Sequence, residues 1–179
     1  YAGFSIVEKN FTVTRGIMDV KDDTATSTLP IDVNGDVTIG ANGTFRGRNR
    51  THNVAGNWSN SGSYEQETST IVLDGSLDTN LGATTFYNLT IDKQSNADVV
   101  TLTGAVSTSS NLTITTGILN TSAANDYALD IEGNLTVGSG DTLTANDSDI
   151  NIGGNLANSG TINEGTSLFT FDSTGNFTI

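Results

Sequence analysis

The sequence predicts an all-β chain wound as a parallel β-solenoid. Three observations carry that expectation: a long internal repeat, a shorter step of about 21 residues inside it, and a composition of strand formers and corner residues.

The long repeat is read without a gap. Residues 31–81 align with residues 129–179 at an offset of 98. Asp32, Gly35, Thr38 and Gly40 meet Asp130, Gly133, Thr136 and Gly138. Asn53, Gly56, Asn57 and Gly62 meet Asn151, Gly154, Asn155 and Gly160. Apolar positions agree as well: Val37 with Leu135, Trp58 with Leu156, Ile71 with Phe169. A second stretch, NFTVTRGIMDV from Asn10, matches NLTITTGILNT from Asn111 at an offset of 101. The three-residue difference falls in 21–30, which marks a surface loop, because an insertion inside a ladder would shift register. The chain is therefore read as one continuous solenoid over 1–179, in two imperfect long repeats, about 3–103 and 104–179.

Within the repeats, strand-opening polar residues recur at Asp36, Asn57 and Asp78, and at Asn134, Asn155 and Asn176, each 21 apart. Asn88, Asn111 and Asn134 are spaced by 23. Turn signals such as GANG at 40–43, NSGS at 60–63 and GSGD at 138–141 divide each step into two or three short strands. Division of the length by the step gives about eight coils. In a segment such as GNLTV, Leu135 and Val137 point inward, while Asn134 and Thr136 point outward. Corner Asn side chains are expected to bond along a column. A tandem pair of β-sandwiches is the alternative fold, but a 21-residue sub-period has no origin in a Greek key.

Composition limits the chemistry. Thr, Ser, Asn and Gly number 29, 17, 20 and 20, so they fill 86 of 179 positions and interrupt every helical window. There is no Cys and one His, which leaves no disulfide framework and no thiolate or His-cluster metal site. Seven basic against 20 acidic residues, a net charge of -13, argue against a nucleic-acid surface. No apolar run is long enough for a membrane-spanning helix. The chain starts at Tyr1 and neither end reads as a cap. It is read as a processed or excised piece, or as a subunit whose open ends meet like subunits or the continuation of the same chain.

FYNLTIDK at 86–93, SSNLTITTGILNT at 109–121, GNLTVGSG at 133–140 and GNLANSGTINEGTSLFTFDSTGNFTI at 154–179 resemble the repeats of large bacterial surface and adhesin-like proteins with β-helical stalks. That resemblance implies an extracellular or cell-surface location and a structural or adhesive, non-enzymatic role.

Candidate sites are few. Arg46, Arg48 and Arg50 alternate, so on a strand they would line one face and could meet an acidic neighbour, a glycan or a cell-surface receptor. No cofactor is expected, with calcium the most plausible ion. Asp19, Asp22 and Asp23, and separately Asp147 and Asp149, supply the oxygen ligands it prefers. Ten N-x-[ST] sequons occur, at Asn10, Asn42, Asn49, Asn57, Asn88, Asn111, Asn120, Asn134, Asn146 and Asn176. His52 aligns with Ile150 and is expected to be a half-exposed strand residue. The runner-up function is a carbohydrate-active enzyme or carbohydrate-binding module on the same scaffold. Trp58, Tyr64, Phe86 and Tyr87 would be its aromatic platforms, although the match of Trp58 to Leu156 favours a core place for it.

Overall fold

A computed structural model describes residues 5–7, 9–20, 30–122, 124–172 and 177–178. Among them there is no helix, and every strand pairing is parallel. The chain winds through three walls per turn.

Wall I holds nine strands: Ser5–Val7, Ile31–Val33, Thr51–Val54, Thr70–Leu73, Asn88–Asp92, Leu112–Thr116, Leu135–Val137, Leu156–Asn158 and Phe177–Thr178. Wall II begins with residues 11–13 and 37–39 and continues through Trp58–Asn60, Thr79–Leu81, Val99–Leu102, Ile118–Asn120, Thr142–Thr144 and Thr161–Asn163. Seven turns separate its first strand from its last, and eight separate those of wall I. Wall III starts with residues 17–19, 44–46 and Ser63–Glu65, then continues as a five-stranded sheet from Thr84–Phe86 to Phe169–Phe171. In the first two coils, walls II and III are halves of one bent strand, Phe11–Asp19 and Val37–Arg46. A register shift between Val13 and Arg15 makes the bend.

Register confirms the short step and shows how it varies. On wall I, Asp32 pairs with Asn53, Asn53 with Val72, and Val72 with Thr90, steps of 21, 19 and 18 residues. Leu89 pairs with Leu112, Leu112 with Leu135, and Leu135 with Leu156, steps of 23, 23 and 21. The surplus residues lie in corners, where they disturb no ladder.

Because the side-chain period of a strand is two, each wall sends alternate residues inward. Ile71, Leu89, Leu112, Leu135 and Leu156 stack as one buried column of wall I, and Leu73, Ile91, Ile114 and Val137 as its neighbour. The early coils fill the same interior with rings. Phe45, Trp58, Tyr64 and Phe86 are buried, and the Trp58 ring meets Tyr64 at 5.1 Å and Phe86 at 5.3 Å between centroids. Trp58 Nε1 donates to Thr84 Oγ1 at 2.9 Å, so the indole is satisfied inside.

The corners carry two polar columns. Before wall II, Asp36 N–H donates to Asn10 Oδ1, Asn57 N–H and Nδ2 donate to Asp36 Oδ1, and Asn80 N–H donates to Asn57 Oδ1. Before wall I, Asn111, Asn134 and Asn155 each donate a backbone N–H to the side-chain oxygen of the Asn one coil earlier, at 3.1, 3.0 and 2.8 Å. These bonds replace turn hydrogen bonds that a corner cannot make with its own backbone.

The long sequence repeat does not return to the wall it left. Residues 37–39 lie on wall II, whereas their matches, Leu135–Val137, lie on wall I. Thr51–Val54 lie on wall I, and their matches 149–152 fall on wall III. Thirteen elements lead from Ile31–Val33 to Leu129–Ile131, and fourteen strands when the bent Val37–Arg46 counts as two. At three strands per coil that is four and two-thirds turns. Local geometry nevertheless survives the move. A Cβ on Gly62 would sit 2.2 Å from Gly40 O, and one on Gly160, its match, 2.2 Å from Gly138 O, though the two glycines occupy different corners.

Candidate interaction surfaces

The three arginines do not share a strand face. Arg46 ends its strand, and the chain turns at once, with Arg48 at φ 57°. Arg46 and Arg48 still converge on the outside of wall III, where carboxylates of adjacent coils meet them. Arg46 Nε donates to Glu65 Oε2 at 2.5 Å, and its Nη1 lies 3.7 Å from Asp19 Oδ2. Arg48 grips Asp19 with two nitrogens and donates to Glu67 Oε1 at 2.9 Å. The hydrogen bond to Glu65 raises the pKa of Arg46, and the one to Asp19 raises that of Arg48. Three coils are thus tied by five charged side chains, and both guanidinium forks are engaged within the chain. Arg50 borders a surface groove of about 400 Å³ beside Pro30, Ile31, Asp32, Thr51 and Asn53.

Asp19 is therefore occupied by arginine. Asp22 and Asp23 lie outside the described residues. Asp147 and Asp149 are both exposed, and Asp147 accepts from the Thr166 hydroxyl at 2.5 Å. Among the described residues no three acidic or His side chains converge as metal ligands.

His52 corrects the sequence expectation of a half-exposed residue: it is fully buried. Its Nδ1 accepts from Ile31 N–H at 3.0 Å, which leaves the proton on Nε2, donated to Gly47 O at 2.7 Å. Burial lowers its pKa, so the ring is a neutral structural bridge between coils. Trp58, Tyr64 and Phe86, the candidate sugar platforms, are core rings instead. Tyr64 is closed off by its 2.6 Å hydroxyl contact with Ser69, and burial pushes its phenol pKa up. Tyr87 alone of the four is half-exposed.

The sequon asparagines divide. Asn10, Asn57, Asn88, Asn111 and Asn134 lend their side-chain oxygens to the corner columns. Asn120 accepts from Ser122 N–H and from Asn146 Nδ2, so that pair is also internal. Asn42 and Asn49 are exposed, and Asn176 lies outside the described residues.

Two features had no signal strong enough to find in sequence. Lys93 is 3% exposed, and its Nζ has no hydrogen-bond partner. Burial lowers its pKa, opposed by the charges of Asp98, Asp74 and Asp78. The neighbouring Asp74 is pushed up by burial and by Asp32. Asp141, also buried, accepts from Gly117 N–H through Oδ1.

No protein-family model, curated protein or solved structure matches the chain.

Proposed function

We propose that this chain is a structural or adhesive segment of an exported cell-surface or filament-forming protein, with no catalytic role. The observation that carries the reading is where the chemistry-bearing side chains are spent. The single His bridges two coils, Phe45, Trp58, Tyr64 and Phe86 fill the core, the corner amides bond one another, and Arg46 and Arg48 clamp carboxylates. Side chains so committed hold a rod together and leave its outer faces of Thr, Ser and Asn for contact. An acidic rod repels its own kind laterally, which suits material exported at high local concentration.

Fractionation of the source cells, with antibody labelling of intact cells, tests the reading. Labelling at the surface or in the medium is expected. Retention in the cytosol, or release of reducing ends from a polysaccharide panel by the purified chain, overturns it.

A further inference from the structure

Two asparagines in this chain are followed directly by glycine, Asn34 and Asn42. The backbone nitrogen after an asparagine can attack that asparagine's own side-chain carbonyl carbon. Glycine hinders the approach least, because it has no Cβ. The attack needs a side chain free to turn, a backbone nitrogen with no other bond to keep, and torsions that no ladder holds.

Asn34 meets these conditions. It is exposed, in the corner between Ile31–Val33 of wall I and the wall II strand that opens at Val37. Among the described residues, neither its carboxamide nor the N–H of Gly35 has a hydrogen-bond partner. The counterparts of Gly35 are all tied. Gly56, one coil on, donates to Gly35 O at 2.9 Å. Gly133 and Gly154, the matches of Gly35 and Gly56 in the long repeat, donate to Ser110 O and Gly133 O at 2.9 and 2.8 Å. A corner nitrogen that its equivalents commit to the coil before is left available at Gly35.

Asn42 has the same neighbour in different surroundings. It too is exposed, but Gly43 lies within Val37–Arg46, in register with Gly16. A Cβ on Gly43 would sit 2.1 Å from Val13 O, so the backbone there is enclosed. Closing a ring across Asn42 and Gly43 requires the ladder to open first.

We propose that Asn34 is a modification site, deamidated in the folded chain through a cyclic imide. The Gly35 nitrogen gives its proton to solvent and bonds to Cγ of Asn34. The bond from Cγ to the side-chain nitrogen breaks, and that nitrogen takes up a proton and leaves as ammonia. Water then opens the imide. Cleavage between Cγ and the ring nitrogen leaves an ordinary aspartate. Cleavage at the main-chain carbonyl leaves isoaspartate, with the main chain running through Cβ. The sum is one water consumed and one ammonia released, with no change of oxidation state. Either product adds a negative charge. Isoaspartate also lengthens the corner between two fixed points, Val33 O and Gly35 O, which accept from Ala55 and Gly56. Corners of this solenoid already differ in length by several residues, so the winding absorbs the extra carbon.

The test incubates the purified whole chain in warm, mildly alkaline buffer, folded or in urea. Samples are digested at acid pH, and fragment mass spectra place each change. In the folded chain, the Asn34 site should gain the mass of a hydroxyl-for-amine exchange, with ammonia released in step. Enzymatic methylation should detect isoaspartate there. Asn42 should convert about tenfold more slowly, and urea should bring it to the rate of Asn34 while Asn34 itself changes little. Asn34→Gln should abolish the signal at that site, because its ring would need six members. Asn34→Asp marks where the aspartate product elutes, and circular dichroism checks that both variants fold. Conversion of Asn34 only in urea, or no faster than Asn42 in the folded chain, overturns the proposal.

Discussion

Asn134 hangs from Asn111. The backbone N–H and the side-chain Nδ2 of Asn134 both donate to Oδ1 of Asn111, each at 3.0 Å, so one acceptor joins two coils twice. Asp36 plays the same part toward Asn57, at 2.7 and 2.9 Å. The column therefore requires an acceptor at this corner and does not require an amide as such.

Asn111→Ala should lower stability by about 1–3 kcal/mol, because it strands two donors of Asn134. Asn111→Asp keeps the acceptor and should recover most of the loss. Urea unfolding of the three proteins checks this, and equal losses in both variants would show that the side-chain oxygen is not what matters.

Stability should fall on acidification through His52. The unfolded imidazole takes a proton near 6.5, and the buried ring does so only at lower pH. The unfolded state then binds more protons, so stability is full above 6.5 and is lost as pH drops below it. A His52→Gln variant should lack this component when urea midpoints are compared between neutral and acidic pH. In nitrogen-15 spectra the native ring should show the tautomer protonated at Nε2.

Lys93 should be replaceable. A buried ammonium without a hydrogen-bond partner costs desolvation that three surrounding carboxylates only partly offset. Lys93→Met keeps the stem that packs over Gly117 and should leave stability at neutral pH equal or higher. The sign is fixed by the lowered pKa. The unfolded lysine holds its proton up to about 10.5. The native protein should therefore gain on the Met variant as pH rises toward that value. A flat difference across that range would show that Lys93 is solvated.

Gly160→Ala should be among the costliest single methyl additions, because the new carbon would meet Gly138 O at 2.2 Å and Asp141 O at 2.5 Å. Both contacts are backbone, which cannot swing aside. A loss of about 2 kcal/mol or more is expected, and Gly62→Ala should behave alike, since its carbon would face Gly40 O and Gly43 O at 2.2 and 2.4 Å. Thermal melting of the two variants would expose any asymmetry between the corners.

Most of the architecture was legible because a solenoid writes its period into corner residues. The 21-residue recurrence of Asp36, Asn57, Asn134 and Asn155 is the ladder itself. The inward columns followed from alternation within GNLTV-type segments. His52 was not legible, because its bond to Ile31 joins residues 21 apart that only winding brings together. The arginine spacing misled for a related reason. Alternation predicts a shared face only while the strand continues, and it stops after Arg46. The wall phase of the long repeat was hidden too. Offsets count residues, whereas walls count strands, and one strand turns a corner at Gly40–Gly43 without a break.

Four and two-thirds turns per repeat has a geometric outcome. A chain extended by further copies of the same unit would set each copy a third of a revolution from the last. Three copies and fourteen turns would pass before the same residues faced the same direction. A flat partner lying along such a rod would meet one copy in three, whereas a partner wrapping around it would meet them all.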